Sequence, residues 1–193
     1  AYSDQLTGLG NRRYMKVQVE ARLENAKGAV HGALLLLQVD NLQKVNELEG
    51  FAAGDVLLKK IADIIKQETK RFSEVTLARL TGGDFAIFMS EISSAEAYDI
   101  AENLSKKVTR LAVENISHSD NLAHIGGVIY KHTPTLPKLL SEADNALQAA
   151  RQKGPNKWIV HSLPSGGNSV IKGKTWWKET LEKVLEKGDI ILF

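Results

Sequence analysis

The chain has 193 residues, of which 43% are hydrophobic and 25% charged, a composition typical of a folded globular protein. There are 25 Lys and Arg against 23 Asp and Glu, so the formal net charge is only +2, and no concentrated basic stretch predicts a nucleic-acid surface. The absence of cysteine excludes disulfides, thiolate nucleophiles and cysteine-ligated zinc. The longest apolar run, residues 33–37, is far too short to span a membrane.

Helical and extended patterns alternate along most of the chain. Apolar spacing predicts a helix over residues 11–26, a short helix that ends at Gly50, a longer one that ends near Arg71, a fourth over residues 94–114 and a fifth that begins at Pro137. Strands are predicted over residues 33–39, 75–80, 85–90, 125–130 and 158–160. The four residues 81–84, TGGD, predict a tight hairpin between the second and third strands.

This order predicts an α/β (α+β) fold. A hairpin between two helical crossovers is the split-βαβ arrangement, which gives a mostly antiparallel sheet with helices packed against it. Residues 162–174 are rich in Ser, Gly and Pro and are predicted to be a linker. Residues 175–193 contain an amphipathic helical pattern and an apolar end, which we interpret as the start of a second domain in a longer protein.

Four segments, in order, resemble the GGDEF (diguanylate cyclase) family. They are DQLTGLGNRR at residues 4–13, LQVDNLQKVNELEGFAAGD at 37–55, RLTGGDF at 79–85, and ADNAL with GPN at 143–147 and 154–156. The resemblance covers residues 1–161 and implies the GGDEF fold, a five-stranded sheet with a ferredoxin-like βαββαβ core. Residues 175–193 resemble the first helix and strand of an EAL domain, the usual C-terminal neighbour of GGDEF.

The resemblance also implies a chemistry that this chain lacks the residues to perform. An active GGDEF enzyme joins two GTP molecules into cyclic di-GMP with the help of Mg²⁺, which two carboxylates hold. Those two positions are Gln38 and Gly83 here, so both metal ligands are lost and no metal is expected. The remnant of the signature motif is Thr81, Gly82, Gly83, Asp84 and Phe85. In an alternative register, Gly82-Gly83-Asp84 would be the family's G-G-D, and Asp84 would be a metal ligand.

Three further residues stand at positions that contact the nucleotide in the family. Asn46 and Asp55 occupy the guanine-recognition positions, and Arg151 replaces a phosphate-binding lysine. Asp55 could instead cap a helix beginning near residue 56, and Asn46 could hold a local turn. The five histidines, at 31, 118, 124, 132 and 161, show neither metal-ligand spacing nor a paired acid, so we assign them surface or turn roles.

These observations leave three hypotheses. The first is a degenerate, catalytically inactive GGDEF domain that regulates or contacts its neighbours, as in LapD-type receptors, where the EAL domain binds cyclic di-GMP. The second is a GTP-binding domain that activates an adjacent EAL phosphodiesterase. The third is a cyclase that uses Asp40, Asp84 or both as unusual metal ligands. The expected partners are the protein's own EAL domain, an upstream signalling helix and a second copy, with no nucleic acid. The expected location is the bacterial cytoplasm, in a protein anchored to the inner membrane.

Overall fold

The sheet and its helices follow the predicted order. The computed structural model describes residues 1–26, 31–114, 120–132 and 134–164, so the predicted EAL start (175–193) and most of the predicted linker lie outside the described residues. The elements are α1 Arg12–Asn25, β1 Gly32–Val39, α2 Leu42–Glu49, α3 Phe51–Thr69, β2 Val75–Thr81, β3 Asp84–Ser90, α4 Ser94–Val113, β4 Ala123–Tyr130, α5 Leu136–Gln152 and β5 Trp158–Ser162.

The five strands form one sheet in the order β2-β3-β1-β4-β5. All neighbouring pairs are antiparallel except β4 and β5, which are parallel. This confirms the predicted α/β class and the mostly antiparallel five-stranded sheet. Strand β5 extends to Ser162, which was predicted to be the first residue of the linker.

Helices cover both faces of the sheet. Leu35 and Leu37 of β1 pack with α3 and α4 on one face, and Leu34 and Leu36 pack with α1 and α5 on the other. The two faces alternate because successive side chains of a strand point to opposite sides. Gln38 continues the second series, so its side chain lies on the face that α1 and α5 cover.

Helix α5 approaches strand β4 at backbone distance. A Cβ added to Gly126 would lie 2.1 Å from the Leu147 nitrogen and 2.5 Å from the Ala143 oxygen, so only glycine fits there. The hydroxyl of Thr135 accepts a hydrogen bond from the Lys138 N–H and caps the start of the helix. This close packing places the C-terminal turn of α5 beside the end of β1, where the candidate site lies. No helix among the described residues is long and apolar enough to cross a membrane.

Candidate functional site

A cleft of about 790 Å³ opens where β1 ends and β3 begins. Its walls come from the end of β1, helix α2, the β2–β3 hairpin and the last turn of α5. The lining residues are Gln38, Val39, Asp40, Asn41, Leu42, Gln43, Lys44, Glu47, Leu48, Gly83, Asp84 and Arg151. Its size is typical of a small-molecule site. The structure thus brings together five of the residues singled out from the sequence, namely Gln38, Asp40, Gly83, Asp84 and Arg151.

The hairpin closes with the two-residue turn Gly82-Gly83, as predicted. Thr81 pairs with Asp84 across the turn, and Gly82 has a φ of +49°, a left-handed conformation that favours glycine. Gly83 is needed for a different reason: a Cβ at this position would lie 2.7 Å from the Val39 Cβ and 3.3 Å from the Val39 oxygen. The side chain of Val39 therefore stands beside the position where the family carries a metal-binding carboxylate.

Gln38 and Asp84 face each other on adjacent strands and are hydrogen-bonded through their side chains. Burial raises the pKa of Asp84 to about 6, although the hydrogen bond from Gln38 and the nearby Arg151 and Arg12 lower it. The Gln38 Oε1 atom is buried and has no hydrogen-bond partner among the described residues. Gln38 thus places an amide where the family has a metal-binding carboxylate. Its neighbour Asp84 is an acid whose ionised form is disfavoured by burial.

Asp40 is held from two sides by basic side chains. Its Oδ1 lies 3.0 Å from Arg151 Nη2, and its Oδ2 lies 2.6 Å from His124 Nδ1. The other ring nitrogen of His124, Nε2, lies 2.7 Å from the Gly154 carbonyl oxygen. Because a carbonyl only accepts, the Nε2–H of His124 donates to Gly154. The side chains of Asp40 and His124 are each only 4% exposed.

The surface or turn role predicted for the histidines is therefore wrong for His124, which ties three segments of the site together. His161 keeps a partly exposed position, with 34% of its side chain accessible, but the expectation that it lacks an acid partner is wrong, because its Nε2 lies 3.2 Å from Glu142 Oε2. The available signal for His124 was its position as the polar residue of an otherwise apolar strand, AHIGGVIY. Its acid partner is 84 residues away in sequence and could not be found from spacing.

Asn46 and Asp55 do not line the cleft but lie where α2 meets α3. Helix α3 begins at Phe51, so Asp55 is in its second turn, and the expectation that it caps a helix starting near residue 56 is wrong. The Asn46 Oδ1 atom is buried against Gly54, whose added Cβ would lie 1.9 Å from it, and it has no partner among the described residues. A buried amide oxygen without a partner is a group to which a hydrogen-bond donor of a ligand could bind.

A divalent cation fits this cleft poorly. No group of three or more His, Asp or Glu in the described part of the chain is placed to hold a metal. Both oxygens of Asp40 are engaged, Asp84 is bonded to Gln38, and residue 83 has no side chain. Because Mg²⁺ needs oxygen ligands to replace its tightly held water, the residues present do not fit it.

Comparison with known proteins gives the family. The sequence model of the family "Diguanylate cyclase, GGDEF domain" matches residues 1–157. The chain belongs to this GGDEF family. It is 27% identical over 167 residues to "Probable diguanylate cyclase DgcT" of Escherichia coli K12, covering 84% of this chain and 36% of DgcT. It is 26% identical over 194 residues to the bifunctional diguanylate cyclase/cyclic di-GMP phosphodiesterase MucR of Pseudomonas aeruginosa, covering 100% of this chain and 28% of MucR.

Solved GGDEF structures have the same fold. The S helix-GGDEF-EAL part of Vibrio cholerae LapD, bound to c-di-GMP, superposes with a TM-score of 0.72 at 28% identity, covering 97% of this chain and 43% of that one. Diguanylate cyclase SiaD of P. aeruginosa, in complex with its activator SiaC, gives a TM-score of 0.71 at 25% identity, covering 83% of this chain and 62% of SiaD. The chain thus belongs to a family of cyclic di-GMP signalling proteins, and it spans 36% of the length of DgcT and 28% of that of MucR.

Proposed function

We propose that this GGDEF domain makes no cyclic di-GMP and acts as a regulatory or interaction module of a cyclic di-GMP signalling protein. One observation carries the proposal: neither metal-ligand position has a carboxylate, and a Cβ at residue 83 would lie only 2.7 Å from the Val39 Cβ. Removing one electrostatic stabiliser commonly lowers the rate by about 10²–10³. The loss of both should lower it further.

The test is a synthesis assay on the chain fused to a dimerising coiled coil, with GTP and Mg²⁺, followed by chromatography for cyclic di-GMP. The matched control is a GGDEF domain of known activity in the same fusion. We expect no product above the GTP-only baseline. Product that disappears in an Asp84→Ala variant would overturn the proposal and favour the third hypothesis, in which Asp84 holds the metal.

We also propose that an EAL domain follows this domain and is its partner. The match to MucR, whose name includes a phosphodiesterase, covers 100% of this chain, and the match to the GGDEF-EAL part of LapD covers 97%. The match to DgcT covers 84%. We further propose an upstream signalling helix, a homodimer and an inner-membrane anchor in the longer protein, with cyclic di-GMP bound by EAL. Expression of the longer protein and cross-linking in membrane fractions would test this arrangement.

A second candidate function is GTP binding without turnover, which would regulate the EAL neighbour. The unpartnered Asn46 amide favours it, because this side chain stands at a guanine-recognition position and has a buried oxygen with no partner in the described structure. Calorimetric titration with GTP tests this candidate. Binding in the micromolar range would support a nucleotide sensor, and its absence would leave contact with other domains as the mode of action.

A further inference from the structure

Arg151 and His124, which contact Asp40, affect which ligands the cleft can bind. Arg151 Nη2 lies 3.0 Å from one carboxylate oxygen, and His124 Nδ1 lies 2.6 Å from the other. The Asp40 side chain is only 4% exposed, and each of its oxygens already faces a basic group, so a divalent cation would have little access to this carboxylate. The Arg151 guanidinium therefore occupies Asp40, the carboxylate that a metal would need as a ligand.

The remaining acids of the cleft do not provide an alternative metal site. Asp84 is 9% exposed and accepts a hydrogen bond from Gln38, and Arg12 and Arg151 both lie close enough to act on its charge. Glu47 is exposed and accepts a hydrogen bond of 2.8 Å from Gln43. Mg²⁺ prefers near-ideal octahedral geometry, and these separate, partnered groups do not supply it.

Accessible positive charge does remain at the cleft. The Arg151 side chain is 38% exposed although it pairs with Asp40, and the exposed Lys44 lies on the opposite wall. A guanidinium binds phosphate and carboxylate oxygens with the same forked geometry, so Arg151 can exchange one for the other. Magnesium bound to GTP lowers the net negative charge of the triphosphate and so weakens its attraction to Arg151, in a cleft whose described residues supply no ligand set for the metal.

We propose that the cleft binds its nucleotide as the metal-free polyanion, with Arg151 transferring from Asp40 to a phosphate group. The inference rests on the second candidate function, nucleotide binding without turnover, and reverses the cation requirement of an active cyclase. His124 is then the residue that keeps Asp40 paired after Arg151 has left. In this proposal the lost metal ligands and the pairing of Asp40 have one consequence: the positive charge that contacts the phosphate comes from Arg151 and not from a metal ion.

The experiment is a calorimetric titration of the chain with GTP, in EDTA and again in millimolar Mg²⁺. We expect binding in EDTA that is equal or weaker when Mg²⁺ is present. Arg151→Ala should weaken binding in EDTA by at least about tenfold, because a charge-assisted hydrogen bond is lost. Lys153→Ala removes an exposed positive charge two residues away that does not line the cleft, and it should change the affinity by less than about twofold.

A direct metal measurement needs no variant. Electron paramagnetic resonance of Mn²⁺ with the protein and GTP should show only the signals of free Mn²⁺ and of Mn²⁺–GTP. Binding that strengthens with Mg²⁺, a protein-bound Mn²⁺ signal, equal losses in Arg151→Ala and Lys153→Ala, or no binding in EDTA would each overturn the proposal. The last result would leave the proposed absence of cyclase activity intact, whereas cyclic di-GMP synthesis would contradict that function whatever the titration gave.

Discussion

The contact between Gly83 and Val39 makes a prediction about what the site can regain. We consider Gly83→Ala, which adds only a Cβ and no charge. That Cβ would lie 2.7 Å from the Val39 Cβ, whereas carbon atoms in favourable contact are about 3.5–4.0 Å apart. The Val39 Cβ is attached directly to the backbone of central strand β1, so the overlap cannot be relieved by a rotamer change.

The expected effect on stability follows from two opposing contributions. Overpacking of this kind typically destabilises by about 1–3 kcal/mol. Replacing glycine by alanine also reduces the freedom of the unfolded chain, which stabilises by about 0.4–1 kcal/mol. We therefore expect Gly83→Ala to lower the free energy of unfolding by about 1–2 kcal/mol, or the melting temperature by roughly 2–8 °C for a chain of this size.

A double-mutant cycle in urea tests the cause of this loss. Val39→Gly removes the opposing Cβ, so Gly83→Ala should be neutral or stabilising in that background. Gly82→Ala is the matched control: a Cβ there meets nothing within 4 Å, and its cost comes from the φ of +49°, so it should be equal in both backgrounds. If Gly83→Ala costs the same with and without Val39, or costs nothing in the wild type, the steric argument is refuted.

Three other changes have defined outcomes. His124→Phe removes one of the two partners of the buried Asp40 carboxylate and should cost about 1–3 kcal/mol in urea unfolding, and an unchanged stability would contradict the buried contact. Gly126→Ala should prevent stable folding, as seen by circular dichroism, because its Cβ would meet the Leu147 backbone nitrogen at 2.1 Å. Burial raises the pKa of Asp84 to about 6 from its ordinary 3.8, so the folded protein holds a proton there that the unfolded chain releases, and stability falls as pH rises through this window. Asp84→Asn should therefore stabilise at neutral pH by about 1–3 kcal/mol and have little effect below about pH 4, and a gain independent of pH would contradict this.

Local patterns were enough to predict the fold. The continuous apolar run of β1 indicated a strand covered on both faces, and the i, i+4, i+7 spacing of Leu57, Ile61 and Ile64 indicated the long helix α3. The turn Gly82-Gly83 was recognisable because a two-residue hairpin requires glycine-like conformations. These features depend on residues close in sequence, which is why they could be predicted without the structure.

The pairings within the site could not be predicted in the same way. The contact of His124 with Asp40 depends on the register of β1 against β4, in which Gln38 lies opposite His124. The interpretation of Asp55 as a helix cap failed because the helix begins earlier: Gly50, with a φ of +89°, ends α2, and α3 starts at the next residue. Contacts between distant elements determine the partner of His124, and the neighbouring helix α2 determines where α3 begins. The spacing of residues in the sequence shows neither.

The geometry also predicts why restoring the two lost carboxylates would not by itself restore a metal site. An aspartate at position 38 would face the buried Asp84 across the strands, where like charges raise the cost of ionising either group. An aspartate at position 83 would meet Val39. Gln38→Asp with Gly83→Asp would supply both carboxylates, but in this structure the pair needs Val39→Gly as well before it can bind a metal. If the double variant binds Mn²⁺ as strongly as the triple variant, the packing of Val39 does not constrain the site.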